Sequence, residues 1–266
     1  MRLNANAVVF ASAALALSLA ACHRPDPFPE RQAQAGAETP DPGYRAPPEI
    51  SRATRDADGA VTLSGRALPS SQVRMMSPAG ASIETRADGS GNWTALLGPV
   101  SEPALYRLAE EAGGQRIDAE GLVAVLPGAP TVALLRAGAG AKVAPGADTA
   151  ALRISALDYD MAGAAVVSGR ARAASPVRVT VDGQVAVEGA AGADGRFALT
   201  LPKPLPPGRH RLQALTPQAT ASADVAVTPP APPKGAPFQA QAQPSGWRVD
   251  WITPGGGAQT TLLLAG

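Results

Sequence analysis

The stretch Pro176–Glu188, PVRVTVDGQVAVE, alternates apolar and polar residues on both sides of Asp182-Gly183. Val177, Val179 and Val181 fall on one face, with Arg178 and Thr180 on the other, which is the period of a half-buried strand. Asp-Gly between two such runs marks a tight hairpin, because both turn residues must accept positive φ. A second turn, ADGR at 193–196, precedes FALTL, and further strand-like runs recur about every 10 to 12 residues. No amphipathic helical pattern follows residue 22. The chain is therefore expected to be all-β.

The same pattern occurs twice. GAVTLSGRA at 59–67 matches GAAVVSGRA at 163–171, an offset of 104 positions. Ile50-Ser51, Asp56, Val73-Arg74, Glu84, Gly91 and Arg107-Leu108 recur at the same offset without a gap. About 19 of 60 positions agree between 50–109 and 154–213, so the chain holds two copies of one domain. Trp93 falls on Phe197, and both read as the central core aromatic of their copy. The first copy has Pro78-Ala79 where the second has Asp182-Gly183, so that turn differs.

These motifs resemble the bacterial immunoglobulin-like (Big-type) repeats of envelope and surface proteins. The resemblance rests on Ser64-Gly65-Arg66-Ala67, Val73, Asp88-Gly89 and Trp93 in the first copy. In the second it rests on Ser168-Gly169-Arg170-Ala171, Val177, Asp194-Gly195 and Phe197. It covers roughly 50–126 and 154–228, implies two tandem immunoglobulin-like β-sandwiches, and says almost nothing about function.

The only cysteine, Cys22, follows a charge-free, Ala-rich apolar run that begins after Met1-Arg2. The run is too short and too Ala-rich for a comfortable membrane span, and its small-residue exit fits a secretory signal peptide. Leu19-Ala20-Ala21-Cys22 resembles the lipobox of bacterial lipoproteins, which implies cleavage between Ala21 and Cys22 and acylation at Cys22. Two or three acyl chains hold a protein stably at a membrane where one holds it marginally. His23, where the sorting rule of enteric bacteria would read Asp as retention, implies an outer-membrane lipoprotein facing the periplasm, with surface exposure as a variant of that address. Residues 22–47 are rich in Pro, Ala, Glu and Gln and read as a disordered tether.

The expected organisation is a signal peptide at 1–21, the tether at 22–47, sandwich 1 at 48–137, and a flexible joint at 138–151. Sandwich 2 follows at 152–229, then a Pro-rich linker at 230–245 and a C-terminal β-hairpin at 246–266. The joint, AGAGAKVAPGADTAA at 137–151, predicts independent motion of the two sandwiches. VAVLPGAPTVALLRAG (123–138) and WITPGGGAQTTLLLAG (251–266) read alike, as if each copy ended in the same hairpin. The tail at 247–264 is expected either to pair with a sheet of sandwich 2 or to form a small module beside it.

Composition narrows the function. With Arg2 set aside, basic and acidic side chains balance at 22 each, and no basic patch stands out, which disfavours nucleic-acid binding. Histidine occurs only at 23 and 210, too little for a metal site or a hydrolytic triad, so neither catalysis, metal nor cofactor is expected. The acidic pairs at 56–58 and 158–160 read as turn formers, with calcium ligation as the lesser reading. PGGG at 254–257 lacks the residues of a phosphate loop. GWRVDW at 246–251 puts Trp247, Val249 and Trp251 on one strand face. That pair either covers a sandwich core or forms an exposed face for sugar rings or a partner. The expected role is a structural or adaptor protein, held to the membrane by lipid and meeting an envelope protein or peptidoglycan. The alternative is a peptidoglycan- or glycan-binding module using Trp247 and Trp251.

Overall fold

The computed structural model describes residues 45–129, 131–145 and 151–265. All of them belong to the compact unit Ala37–Gly266. The expected signal peptide, the expected lipobox with Ala21 and Cys22, and the expected tether up to residue 44 lie outside the described residues. The described residues form strands and turns only.

The first copy contributes β1 (Glu49–Arg55), β2 (Ala60–Arg66), β3 (Gln72–Met76), β4 (Ser82–Arg86), β5 (Asn92–Pro99), β6 (Ala104–Ala112) and β7 (Gln115–Val125). The second contributes β10 (Arg153–Asp160), β11 (Ala165–Arg170), β12 (Pro176–Val181), β13 (Gln184–Ala190), β14 (Arg196–Thr200), β15 (Gly208–Leu215) and β16 (Thr220–Val227). In each copy the first, second and fifth strands make one sheet, and the fourth, third, sixth and seventh make the other, in that order. This is the immunoglobulin-like sandwich topology. The copies agree in detail: both first strands carry a bulge after the same isoleucine, Ile50 or Ile154.

The repeated motif residues explain the shared core. Trp93 and Phe197 are almost fully buried, each opposite the glycine of its Ser-Gly-Arg-Ala motif. A Cβ on Gly65 would lie 2.6 Å from the Trp93 ring and 1.9 Å from the Glu49 carbonyl. On Gly169 it would lie 2.5 Å from the Phe197 ring and 2.1 Å from the Arg153 carbonyl. Only glycine lets the ring lie flat on the strand. Asp182 and Gly183 have φ of 51° and 80°, as the hairpin requires. In the first copy the left-handed turn residue before the aromatic is Gly91, the counterpart of Gly195, and not Gly89.

Five further strands complete the structure: β8 (Val132–Leu135), β9 (Lys142–Val143), β17 (Phe238–Gln243), β18 (Gly246–Ile252) and β19 (Ala258–Leu264). β8 and β9 extend the sheet of β7, giving the order β4-β3-β6-β7-β8-β9. β19 pairs with β10, so the tail joins the other sheet of its own sandwich, as β14-β11-β10-β19-β18-β17. The two look-alike chain ends are thus not equivalent, since one lengthens its sandwich beyond the seventh strand and the other beyond the first. The stretch expected as a Pro-rich linker contains β17, because Phe238–Gln243, between Pro237 and the Pro244-Ser245 turn, is free of proline and alternates. The tail is therefore a three-stranded meander instead of a hairpin.

The four sheets stack in succession with three apolar cores between them. One core fills sandwich 1 around Trp93, Leu63, Met75 and Leu108. Another fills sandwich 2 around Phe197, Leu157, Leu212 and Leu262. The third lies between the sandwiches, where Leu105, Leu126 and Leu135 meet Val249, Trp251 and Leu263. Each fully buried side chain of this kind contributes about 1.5–3 kcal/mol, so a handful favours docking over independent motion. The expectation of freely moving sandwiches is overturned by this core. β8 and β19 are buried on both faces, which is why they read as the continuous apolar runs VALL and TTLLL.

Candidate functional site

The Trp247/Trp251 strand face is where an aromatic binding surface was expected, and it is covered. The alternation places Trp247, Val249 and Trp251 on one face of β18, as read from the sequence, but that face meets sandwich 1. Trp251 is 1% exposed, and its Nε1 donates to Thr261 Oγ1 at 3.1 Å. Trp247 packs at the border of the same core, with Nε1 3.5 Å from a Cβ position on Gly128. Trp251 presents no open ring for a sugar, and Trp247 is half-buried against sandwich 1, so the two do not form the exposed aromatic pair that the glycan-binding alternative expects. The reason is that sandwich 1 supplies an outer sheet face, around Leu105, Ala124 and Ala133, as apolar as the tryptophans themselves.

The opposite face of β18 carries Arg248 and Asp250, both buried. They make a two-bonded ion pair, with Nε and Nη2 each 2.7 Å from a carboxylate oxygen. Arg248 also donates to Tyr159 Oη at 3.1 Å, to Thr228 Oγ1 and to the Pro229 carbonyl at 3.1 Å. Thr260 Oγ1 donates to Asp250. Burial works against the Arg248 charge, but the bonds to Asp250 and Tyr159 outweigh it and raise its pKa. The bonds to Thr228 and Pro229 tie the chain leaving β16 onto the sheet it crosses to, and the others are made within that sheet. The cluster is a fastening and offers no free group for chemistry.

A second buried polar cluster sits in the seam between the sandwiches. Asp158 accepts hydrogen bonds from Thr261 Oγ1 at 2.6 Å, from the Ala141 N–H at 2.8 Å and from Gln259 Nε2 at 3.2 Å. Gln259 accepts from the Gly138 N–H at 3.2 Å. Ser168 Oγ donates to the Ala141 carbonyl at 2.9 Å, and Arg196 Nη1 to the Val143 carbonyl at 2.9 Å. Gly140, at φ +75°, sits so close to β11 that a Cβ there would be 2.9 Å from Val166. Residues 137–145, expected as a flexible joint, are thus pinned to sandwich 2 by both backbone and packing. Burial pushes Asp158 up to about 6 against the pull of these donors.

Beside this seam opens a cleft of about 610 Å³, walled by both sandwiches. Its charges are Arg66, Lys142, Arg170 and Arg196 against Glu49, Glu120 and Asp194. Lys142 Nζ lies 2.9 Å from Glu120, and that bond holds the Glu120 carboxyl below its usual range. Burial, then the charge of Arg170, lowers the Arg196 pKa. The lining holds no His or Cys, and its cations and carboxylates largely answer each other.

The remaining candidates are structural in geometry. His210 Nδ1 is 2.8 Å from Asp182 Oδ2, and Nε2 is 2.8 Å from the Pro206 carbonyl. Both partners are acceptors, so the protonated ring can donate from both nitrogens; burial opposes that charge, but the Asp182 and Pro206 bonds raise the pKa overall. Asp56 Oδ1 accepts from the N–H of Asp58 and Ala60, and Asp160 Oδ1 from Ala162 and Ala164, the same turn at the shared offset. Asp56 and Asp160 close turns, as expected of the acidic pairs, whereas Asp158 lies within β10 and is buried in the seam. Among the described residues no group of three His, Cys, Asp or Glu is placed to hold a metal.

The chain matches no family model and no curated protein. Among solved structures it is similar to the BSP domain of a biofilm associated protein, with 15% identity and a TM-score of 0.26. That match covers 70% of this chain and 30% of the other, so the chain spans under a third of its length. It is similar to the central fibronectin-III array of RIM-binding protein, with 17% identity over 83% and 86% of the two chains and a TM-score of 0.25. It is also similar to the adhesin InvE of Yersinia pseudotuberculosis, with 13% identity over 77% and 66% and a TM-score of 0.23. The class of the sandwiches rests on their own strand order: the chain is a tandem immunoglobulin-like β-sandwich protein.

Proposed function

We propose that this chain is a cell-envelope lipoprotein, acylated at Cys22 and held at the outer membrane facing the periplasm. Its two Big-type repeats act without catalysis, as a structural or adaptor body for an envelope protein partner. The observation that carries this reading is the third apolar core, which joins the two sandwiches into one docked body. A docked pair transmits position and force between an anchor and a partner, where two loose domains would not. Trp251 is spent on that core and Trp247 packs at its border, which favours a protein partner over a glycan.

Two experiments test the reading. Substituting Cys22→Ser should remove the mass gain of acylation and move the chain from the membrane to the soluble fraction. Retention of the variant in membranes refutes the anchor. Pelleting the Cys22→Ser chain with purified cell-wall sacculi should leave it in the supernatant, with cross-linking in intact cells giving a protein adduct. Co-pelleting would overturn the choice of partner.

A further inference from the structure

The four sheets expose eight edge strands: β1, β5, β4, β9, β14, β17, β13 and β16. Natural proteins blunt such edges with charges, bulges, prolines or shortness, since an open row of N–H and C=O groups accepts another strand. Seven of the eight follow that rule. β1 carries Glu49, Arg52 and Arg55 and a bulge, and β4 carries Glu84 and Arg86. β5 ends in Pro99 beside a bulge, and β9 has two residues, one of them Lys142. β13 holds Glu188 beside a bulge, β14 holds Arg196, and β16 holds Asp224.

β17 follows none of it. Phe238–Gln243, FQAQAQ, has no charge and no proline, and its register with β18 runs without a bulge. The Ile252 N–H donates to the Pro237 carbonyl at 3.0 Å, which fixes the alternation of the ladder. Gln239, Gln241 and Gln243 therefore direct their backbone groups at β18, and Phe238, Ala240 and Ala242 direct theirs at the open edge. Among the described residues β17 pairs with β18 alone.

The sequence of this edge says what fits it. Residues 239–243, QAQAQ, read the same in both directions about Gln241. Antiparallel pairing with a second copy about a two-fold axis through Gln241 sets Gln239 against Gln243, Ala240 against Ala242, and Gln241 against itself. The outward N–H and C=O of Ala240 then meet those of Ala242 of the second copy, and the reverse, which is the exchange an antiparallel hydrogen-bonded pair makes. Glutamine amides both donate and accept, so the glutamine face is complementary to itself, where a charged strand would set like against like. An isologous contact needs that self-complementarity. We propose that β17 is a self-association edge, through which the β14-to-β17 sheet continues into the same sheet of a second copy. This does not depend on the anchor or on the partner proposed above.

The register makes the test sharp. In the full chain carrying Cys22→Ser, Gln241→Cys places two thiols face to face across the axis, within bridging distance. Gln239→Cys places them four positions apart in register, well beyond it. Mild oxidation should give at least about tenfold more covalent dimer from Gln241→Cys than from Gln239→Cys. Equal yields, or dimer from neither, overturn the proposal. Ala240→Pro removes an N–H that faces the open edge, so it spares the β18 ladder. It should abolish the dimer in sedimentation while leaving the thermal midpoint of the fold unchanged. A wild-type chain that sediments as a monomer, or a dimer that survives Ala240→Pro, overturns it. Binding only to an extended segment of another protein would do the same.

Discussion

Leu105 in the first sandwich and Arg209 in the second stand at the same place in the repeat, yet the leucine is 2% exposed and the arginine faces water. Arg52 and Ala156 show the reverse, with the arginine exposed and the alanine fully buried. Thr54 and Asp158, and Ala124 and Thr228, differ in the same way. Inside the sandwiches the counterparts agree: Leu63 with Val167, Val73 with Val177, Leu108 with Leu212. One frame was duplicated and its interior kept, while one outer face of each copy was rewritten to meet the other. Sandwich 1 turned its sheet of the sixth and seventh strands inward, and sandwich 2 its sheet of the first and second.

Exchanging the differing residues should separate the two outer faces most strongly. Leu105→Arg puts an unpaired charge into the third core and should cost about 3–5 kcal/mol. Denaturation followed by tryptophan fluorescence should then show two transitions, with Trp251 exposed in the first. Arg209→Leu, the mirror change on a solvent face, should shift stability by no more than about 0.5 kcal/mol. Equal effects would mean that the two outer faces are not distinct in solution.

The shared interior predicts shared sensitivity. Gly65→Ala and Gly169→Ala each drive a Cβ to about 2 Å from a backbone carbonyl and into an aromatic ring. Each should cost at least about 2 kcal/mol, by chemical denaturation. Tolerance at one site alone would show that the two motifs do different work.

The frame was readable because its signals are local and occur twice. The Asp-Gly turn, the Ser-Gly-Arg-Ala glycine and the aromatic over it each imply their neighbours within about 30 residues. The docking was not readable in that way, because it depends on which outer faces are apolar, and alternation alone does not say what covers a face. The distinction was nonetheless visible at the shared offset. Leu105 against Arg209 and Ala156 against Arg52 mark the faces, and the unbroken runs VALL and TTLLL mark strands covered on both sides. Read instead as ends of equivalent hairpins, those runs pointed to the wrong symmetry. The joint misled for a related reason: its Ala and Gly residues suggest slack, but Ala141 and Gly140 are small because β11 and Asp158 lie against them.

Asp158 gives the second sandwich a pH dependence that the first lacks at the same position. Its pKa in the fold is about 6 against an ordinary 3.8, so the folded state holds the proton more tightly than the unfolded chain. Its contribution is full below about pH 4 and is lost as pH rises through 6. Asp158→Asn should cost about 1–2 kcal/mol at low pH, since one of three donors loses its acceptor. The gap between wild type and variant should close and then reverse as pH rises from 4 to 7, because the wild type loses more on ionising than the substitution costs. A constant gap would mean that Asp158 titrates normally and that the seam admits water. Thr54, its exposed counterpart, should give no such dependence when replaced.

The smallest effect is expected where the interiors differ least. Trp93→Phe gives the first copy the aromatic of the second. The smaller ring forfeits contacts with Leu63 and Met75, which costs stability as any core truncation does. It also removes the indole N–H, which is buried without an acceptor among the described residues, and an orphaned donor costs about 1–3 kcal/mol in its own right. The two terms oppose, so the net loss should stay under about 1.5 kcal/mol. Phe197→Trp has no such relief. The Phe197 ring already lies against the Gly169 backbone, and a larger ring must push that strand outward, toward the seam with sandwich 1. It should cost about 1–3 kcal/mol by overpacking. If Trp93→Phe proved the more costly of the two, the ring in the first copy would be held by its N–H, and the interiors would be less alike than their strand order makes them.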